Sequence, residues 1–178
     1  MKTPVSANER TATQKICLTA LFAALTCAGT LIIVPMPIGY FNLGDIILLC
    51  AAWSLGPMLG ISAAVGAALA DVLSGYIIYA PATLVIKAAM VVCAALLHSA
   101  LHHLPGKHVL RIVSSAAAEL IMIAGYFLYD AAFLGYGMGA AASIPGNALQ
   151  ALCGVIGGTA LMATLTANKR IAQFLRLH

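Results

Sequence analysis

LGDIILLCAAWSLGPMLGISAAVGAALADVLSGYIIY occupies residues 43–79 and carries only two charged side chains. Its apolar residues continue over helical lengths without alternating with polar ones, which predicts membrane-spanning helices rather than the strands of a barrel. The run is too long for one crossing, and Leu55-Gly56-Pro57 supplies a turn signal near its middle. The stretch therefore predicts two transmembrane helices, each close to the minimum of about 17 residues.

Apolar runs of similar length lie on both sides of this stretch. The chain has 178 residues, of which 62% are hydrophobic and 8% charged, whereas a soluble domain carries roughly 25% charged residues. Because lipid offers no partners to backbone polar groups, the spans must be helical. We predict an all-α integral membrane protein with one membrane domain over residues 1–178. Its parts are a cytoplasmic segment 1–13, a bundle 14–167 of six transmembrane helices, and a cytoplasmic tail 168–178, with the remaining spans at 14–34, 83–104, 109–134 and 146–167.

The distribution of basic residues predicts how the bundle is oriented. Eight of the nine lysine and arginine residues fall on one side of a six-span arrangement: Lys2, Arg10, Lys15, Lys107, Arg111, Lys169, Arg170 and Arg176. Loops rich in lysine and arginine stay in the cytoplasm. We therefore expect a multi-pass protein of the cell membrane with both termini cytoplasmic.

Cysteines and histidines give little support to metal or redox chemistry. The five cysteines all lie inside apolar spans, and their odd number argues for packing rather than a disulfide framework. His98 and His102 have the i, i+4 spacing of a metal pair, but their place at the cytoplasmic end of a span explains them without a ligand. No activated nucleophile, zinc motif or phosphate loop is present. We expect no enzymatic activity, no cofactor and no metal.

Five ionisable side chains fall within the spans, where each is costly and is therefore a functional hypothesis. They are Asp45, Asp71, Lys87, Glu119 and Asp130. Two of them have structural alternatives. Asp45 could cap its helix, and Lys87 could exist to neutralise Asp71 as a buried pair, which is compatible with a binding role.

Most of these charges fall in the outer half of the membrane, together with amides and tyrosines. Glu119, Tyr126 and Asp130 share one face of the fifth span at about 100° per residue. A cavity with such walls suits a small planar polar solute, although the tyrosines could equally form an interfacial belt. The predicted substrate-binding residues are Tyr40, Asn42, Asp71, Tyr79, Lys87, Tyr126, Asp130, Asn147 and Gln150.

Small residues repeat every four positions on two spans. One ladder comprises Ala20, Ala24 and Ala28, and the other comprises Gly60, Ala64 and Ala68. Such ladders allow helices to approach closely in lipid. Either ladder could serve packing inside the bundle or contact with a partner.

Several motifs between residues 19 and 90 resemble those of a known family. They are Asn42-Leu43-Gly44-Asp45, Leu55-Gly56-Pro57-Met58-Leu59-Gly60, Ala70-Asp71-Val72-Leu73-Ser74-Gly75-Tyr76, Tyr79-Ala80-Pro81-Ala82-Thr83 and Lys87. Together they are similar to the substrate-binding S components of energy-coupling factor (ECF) vitamin transporters, and most similar to the group assigned to hydroxymethylpyrimidine or pyridoxine.

The resemblance implies a six-helix protein that captures a vitamin from outside and has no ATPase of its own. It further implies a membrane scaffold subunit and two cytoplasmic ATPases as partners. In the family an alanine ladder on the first helix contacts the scaffold, and Ala20, Ala24 and Ala28 match it. A stand-alone proton-coupled carrier using Asp71, Glu119 and Asp130, or a membrane assembly protein without transport activity, is the alternative.

Overall fold

The computed structural model describes residues 10–36, 38–101 and 106–175. Most of the predicted segment 1–13, the end of the tail and His102 lie outside this part of the chain. The elements are α1 (Ala12–Thr30), β1 (Val34–Pro35), β2 (Tyr40–Phe41), α2 (Gly44–Leu73), α3 (Ala80–Ala100), α4 (Lys107–Leu128), α5 (Ile144–Ala167) and α6 (Lys169–Phe174). A π-helical turn, Tyr129–Phe133, continues α4, and a 3-10 helix, Gly137–Ser143, precedes α5.

Five helices in the described residues are long and apolar enough to cross a membrane. This count differs from the six spans predicted because residues 43–79 fold into one helical element with an internal break. The all-helical membrane architecture is confirmed. The only strands in the described residues are β1 and β2, which pair as an antiparallel hairpin between α1 and α2.

The break in α2 falls at the predicted turn. Gly56 has φ 76° and ψ −178°, which no helix accommodates. A Cβ atom on Gly60 would lie 3.3 Å from the carbonyl oxygen of Ala51 and 3.4 Å from Cα of Ala52, although residues eight apart in a straight helix are roughly 12 Å apart. The second arm of α2 (57–73) therefore folds back against the first arm (44–55).

The helix α1 presents one narrow face to the bundle. It begins with a capping box between Thr11 and Gln14, and its buried residues are Leu18, Phe22, Thr26 and Thr30, spaced four apart. Ala20, Ala24 and Ala28 are exposed on another face. The ladder of Gly60, Ala64 and Ala68 is buried or half-buried, so it serves packing inside the bundle.

The closest approach of α1 to α2 occurs at Gly66. A Cβ atom at this position would overlap the backbone carbonyl of Ala23, and a backbone atom within a helix cannot move aside without shifting the helix. We expect Gly66→Ala to destabilise the protein by about 1–3 kcal/mol, the usual cost of overpacking. The measurement is the thermal midpoint of the purified protein in detergent.

Gly139→Ala is the matched control for this substitution. Its Cβ atom would have no neighbour within 4 Å, so the midpoint should stay unchanged. If Gly66→Ala and Gly139→Ala have equal effects, the close packing of α1 on the second arm of α2 is wrong.

Candidate functional site

A cavity opens where the β1–β2 hairpin meets the adjoining ends of α2, α3, α4 and α5. Its empty space, including the open mouth, is about 390 Å³. The lining residues are Ile38, Gly39, Tyr40, Asn42, Asp71, Tyr79, Thr83, Tyr126, Asp130, Ser143, Asn147 and Gln150. Eight of the nine predicted binding residues are among them, and Lys87 is the exception.

Asp71 and Tyr40 form one polar wall of this cavity. The Tyr40 hydroxyl donates a hydrogen bond to Oδ1 of Asp71. Burial and this bond raise the pKa of the Tyr40 hydroxyl above its ordinary value, so Tyr40 stays protonated and acts as the donor. Oδ2 of Asp71 has no hydrogen-bond partner among the described residues, although the side chain is only 1% exposed.

Asp130 and Tyr79 form a second polar wall. The Tyr79 hydroxyl donates to Oδ1 of Asp130 over 3.0 Å. Asp130 lies in the π-helical turn at the end of α4. Such a turn is wider than an α-helical one and often occurs at functional sites.

Further tyrosines line or border the mouth. The ring of Tyr40 lies 4.6 Å from that of Tyr76, and Tyr79 lies 6.4 Å from Tyr76 and 6.5 Å from Tyr126, measured between centroids. The Tyr126 hydroxyl and Oγ1 of Thr83 are 2.9 Å apart. These rings form a continuous aromatic cluster rather than the dispersed belt considered as the alternative.

A chain of hydrogen bonds closes the inner end of the cavity. Oε1 of Gln150 accepts from the backbone N–H of Asn42 over 3.0 Å and from Nδ2 of Asn42 over 3.1 Å. Nε2 of Gln150 donates to Oδ2 of Asp45 over 2.5 Å. Gln150 thereby holds the loop before α2 against α5 and directs Asp45 toward the interior.

The ion pair predicted between Lys87 and Asp71 is wrong. Nζ of Lys87 lies 2.5 Å from Oδ1 of Asp45, and both side chains are buried. Asp45 is not a helix cap either, because the backbone N–H of Gly44 donates to Oδ1 of Asn42 instead. Lys87 therefore lies behind the lining, where its Nζ is 5.7 Å from the centroid of the Tyr126 ring and is linked to Gln150 through Asp45.

Glu119 lies close to Asp45, the acid that pairs with Lys87. Its two carboxyl oxygens have no partner among the described residues. A Cβ atom on Gly154 would overlap Oε1 of Glu119 and would lie 3.3 Å from Cβ of Asp45. Because glycine has no side chain, position 154 leaves room for both Glu119 and Asp45.

Four lining residues were outside the predicted set. Ile38 and Gly39 enter through the hairpin, whose fold over the bundle no helical periodicity reveals. Thr83 lies one turn before Lys87 on α3. Ser143 lies in the 3-10 helix before α5, between the predicted spans 109–134 and 146–167.

A separate groove runs beside the exposed alanine ladder. Its empty space, including open solvent, is about 750 Å³, and it is lined by Lys15, Ile16, Thr19, Ala20, Ala23, Leu59, Ser62 and Val65. The ladder of Ala20, Ala24 and Ala28 therefore does not pack inside this bundle.

Comparison with known proteins places these features in a family. The model of the family described as "ECF-type riboflavin transporter, S component" matches residues 10–167. The chain is also 35% identical over 156 residues to the "Uncharacterized protein in gap 3'region" of Pyrococcus woesei, an alignment that covers 85% of this chain and 99% of that protein. The chain belongs to the family of ECF-type transporter S components, which are membrane transport proteins and not enzymes.

Proposed function

We propose that this chain is the substrate-capture subunit of an ECF-type importer and that its ligand is a small water-soluble aromatic vitamin or precursor. The observation that carries the proposal is the cavity itself, which opens at one end of the bundle and is closed beneath by Asn42, Gln150 and Asp45. A site with a mouth at one end and a hydrogen-bonded floor suits capture, since binding requires no continuous passage through the bundle.

The motifs between residues 42 and 87 favour a ligand with one ring. They are similar to those of the S components assigned to hydroxymethylpyrimidine or pyridoxine. We therefore assign this chain a single-ring vitamin, although the family model carries the riboflavin description.

In this proposal each arm of α2 counts as one crossing, so the five long helices make six crossings. The first arm, residues 44–55, is roughly 18 Å long at 1.5 Å per residue, so it begins below the membrane surface and carries Asp45 inward. The second arm returns beside it. An even number of crossings puts both termini on one side, which the excess of lysine and arginine assigns to the cytoplasm.

Impermeant thiol reagents should label the two ends of the bundle differently. In cysteine-free protein, a single cysteine at Met138, which is 81% exposed, should react in intact cells because it lies beside the mouth of the cavity. A cysteine at Gly106 should react only after the membrane is permeabilised. The reverse pattern would place the cavity on the cytoplasmic side and contradict capture from outside.

Capture requires partners that the chain does not contain. A scaffold subunit and two ATPases are proposed to complete the importer, with the scaffold docking against Ala20, Ala24 and Ala28. Gentle affinity purification followed by native mass spectrometry should therefore recover these three additional chains with a bound vitamin. Recovery of the protein alone, under conditions that preserve a known ECF complex, would count against this assignment.

One observation favours a second candidate, a stand-alone proton-coupled carrier. Glu119 is buried and both of its oxygens lack partners among the described residues, as expected of a group that exchanges a proton. The carrier predicts uptake driven by a proton gradient with the chain alone, whereas the capture subunit predicts none.

A further inference from the structure

We propose that the ligand is a cation, namely a small aromatic ring that carries a protonated amine or a quaternary nitrogen. This inference rests on the proposed function and specifies the chemical class of its substrate. The geometry that carries it is a cavity with two acidic walls, an aromatic mouth and no basic residue in its described lining.

The first step is the balance of charge around the cavity. Asp71 and Asp130 both line it, and each is only 1% exposed. The nearest buried cation, Lys87, lies 2.5 Å from Asp45, and its charge also reaches Asp71. One cation therefore serves Asp45 and the two acids of the lining, and a carboxylate without a full counter-charge away from water is costly.

The second step is the state of the carboxyl oxygens. Tyrosine hydroxyls donate to Oδ1 of Asp71 and to Oδ1 of Asp130, which satisfies one oxygen of each acid but supplies no positive charge. Oδ2 of Asp71 keeps an unused acceptor. A ligand N⁺–H group would satisfy it with a charge-assisted hydrogen bond, which is about twice as strong as a neutral one.

The third step is the aromatic mouth, whose ring faces are a second feature that attracts cations. The faces of tyrosine rings attract cations, and clusters of such rings recognise ammonium groups. Tyr40, Tyr76 and Tyr79 form an unbroken series with centroids 4.6–6.4 Å apart, whereas Lys87 already lies over the ring of Tyr126. A planar cationic ring would lie against these rings while its nitrogen meets the carboxylates. An anion would be repelled by both acids, and a neutral ring would leave their charge uncompensated.

The test uses three ligands that share one pyridine ring and differ in charge, together with two vitamins that have other rings. Pyridoxamine carries a positively charged amine at neutral pH, pyridoxine has no net charge, and 4-pyridoxate is an anion. Thiamine adds a quaternary nitrogen, and riboflavin is the neutral ligand named in the family description. Binding of each to the full-length purified protein is measured by calorimetry and by the shift in thermal midpoint.

We expect one of the two positively charged probes to bind tightest and pyridoxamine to exceed 4-pyridoxate by at least about 100-fold. Asp71→Asn and Asp130→Asn should each reduce this preference by about 10-fold or more. Two variants are used because Asp71→Asn also weakens the hydrogen bond from Tyr40 and could unfold the protein. Asn147→Ala is the control, since it should weaken all ligands without changing their order.

Tightest binding of pyridoxine, riboflavin or 4-pyridoxate would overturn the proposal, as would the absence of binding by both positively charged probes. An unchanged order of ligand affinities in Asp130→Asn would also overturn the proposal. Recovery of the scaffold and ATPases with a neutral or anionic vitamin would overturn this inference and leave the capture function standing. A folded protein that associates with no such subunits would instead contradict the capture function.

Discussion

Replacing Lys87 with methionine is expected to lower the free energy of unfolding by about 3–5 kcal/mol, because it leaves the buried carboxylate of Asp45 without its counter-charge. The two groups are 2.5 Å apart, and neither is accessible to water. Water therefore cannot replace the lost partner. The measurement is the thermal midpoint and the denaturant resistance of the purified protein in detergent.

Removing both members of the pair should restore most of this loss. The double variant Asp45→Asn with Lys87→Met keeps the shape of the site and leaves no charge at either position. The new amide oxygen at position 45 can still accept the hydrogen bond from Nε2 of Gln150. Asp71→Asn with Lys87→Met is the matched control and should not recover stability. Rescue by Asp71→Asn instead of Asp45→Asn would mean that the ion pair is wrongly assigned.

The same variants separate structural from binding roles. Gln150 touches Asp45 on one side and Asn42 on the other, so a disturbed ion pair should reach the floor of the cavity and weaken ligand binding as well.

The second large effect concerns transport rather than binding. Replacing Ala20 and Ala24 with leucine adds bulk on the exposed face of α1, where a small-residue surface allows another helix to approach. Neither side chain packs inside the bundle, so folding and ligand affinity should stay unchanged. Complex formation with the scaffold and ATP-driven uptake should fall by at least about 10-fold.

Two controls define this result. Ala24→Gly removes bulk at the same position and should disturb assembly much less. Ala116→Leu makes the same change at an exposed position on α4 and should leave uptake intact. Loss of ligand binding in the double leucine variant would show that the ladder supports the bundle, and normal uptake would show that it faces only lipid.

The composition of the cavity wall was predictable from the sequence for a physical reason. Polar and charged side chains are costly inside a membrane span, so each one in an apolar run points to the interior. This reasoning selected Asp71, Asp130, Asn147 and Gln150, and the structure brings all four to one cavity.

The pairing of charges was not predictable in the same way. Helical periodicity shows which face of a span a residue occupies, but not which helices become neighbours. Asp71 is nearer to Lys87 along the chain, whereas the actual partner, Asp45, is 42 residues away. Their contact depends on the break at Gly56, which turns the second arm of α2 back and leaves the first arm beside α5.

The hairpin was missed for a related reason. Its strands contain two residues each, which is too short for any pattern to predict. Yet it carries Tyr40 and supports Asn42, so part of the cavity depends on tertiary packing of a loop over helix ends.

Reconstitution into lipid vesicles tests the central claim most directly. Purified protein alone is inserted into vesicles, an inward proton gradient is imposed, and the retained vitamin is measured in radiolabelled form both bound to the protein and free in the lumen. The capture function predicts about one bound vitamin per accessible chain and no luminal accumulation until the scaffold, the ATPases and ATP are added. Accumulation by the chain alone that disappears with the proton gradient, and again in Glu119→Gln, would contradict the account and identify a carrier.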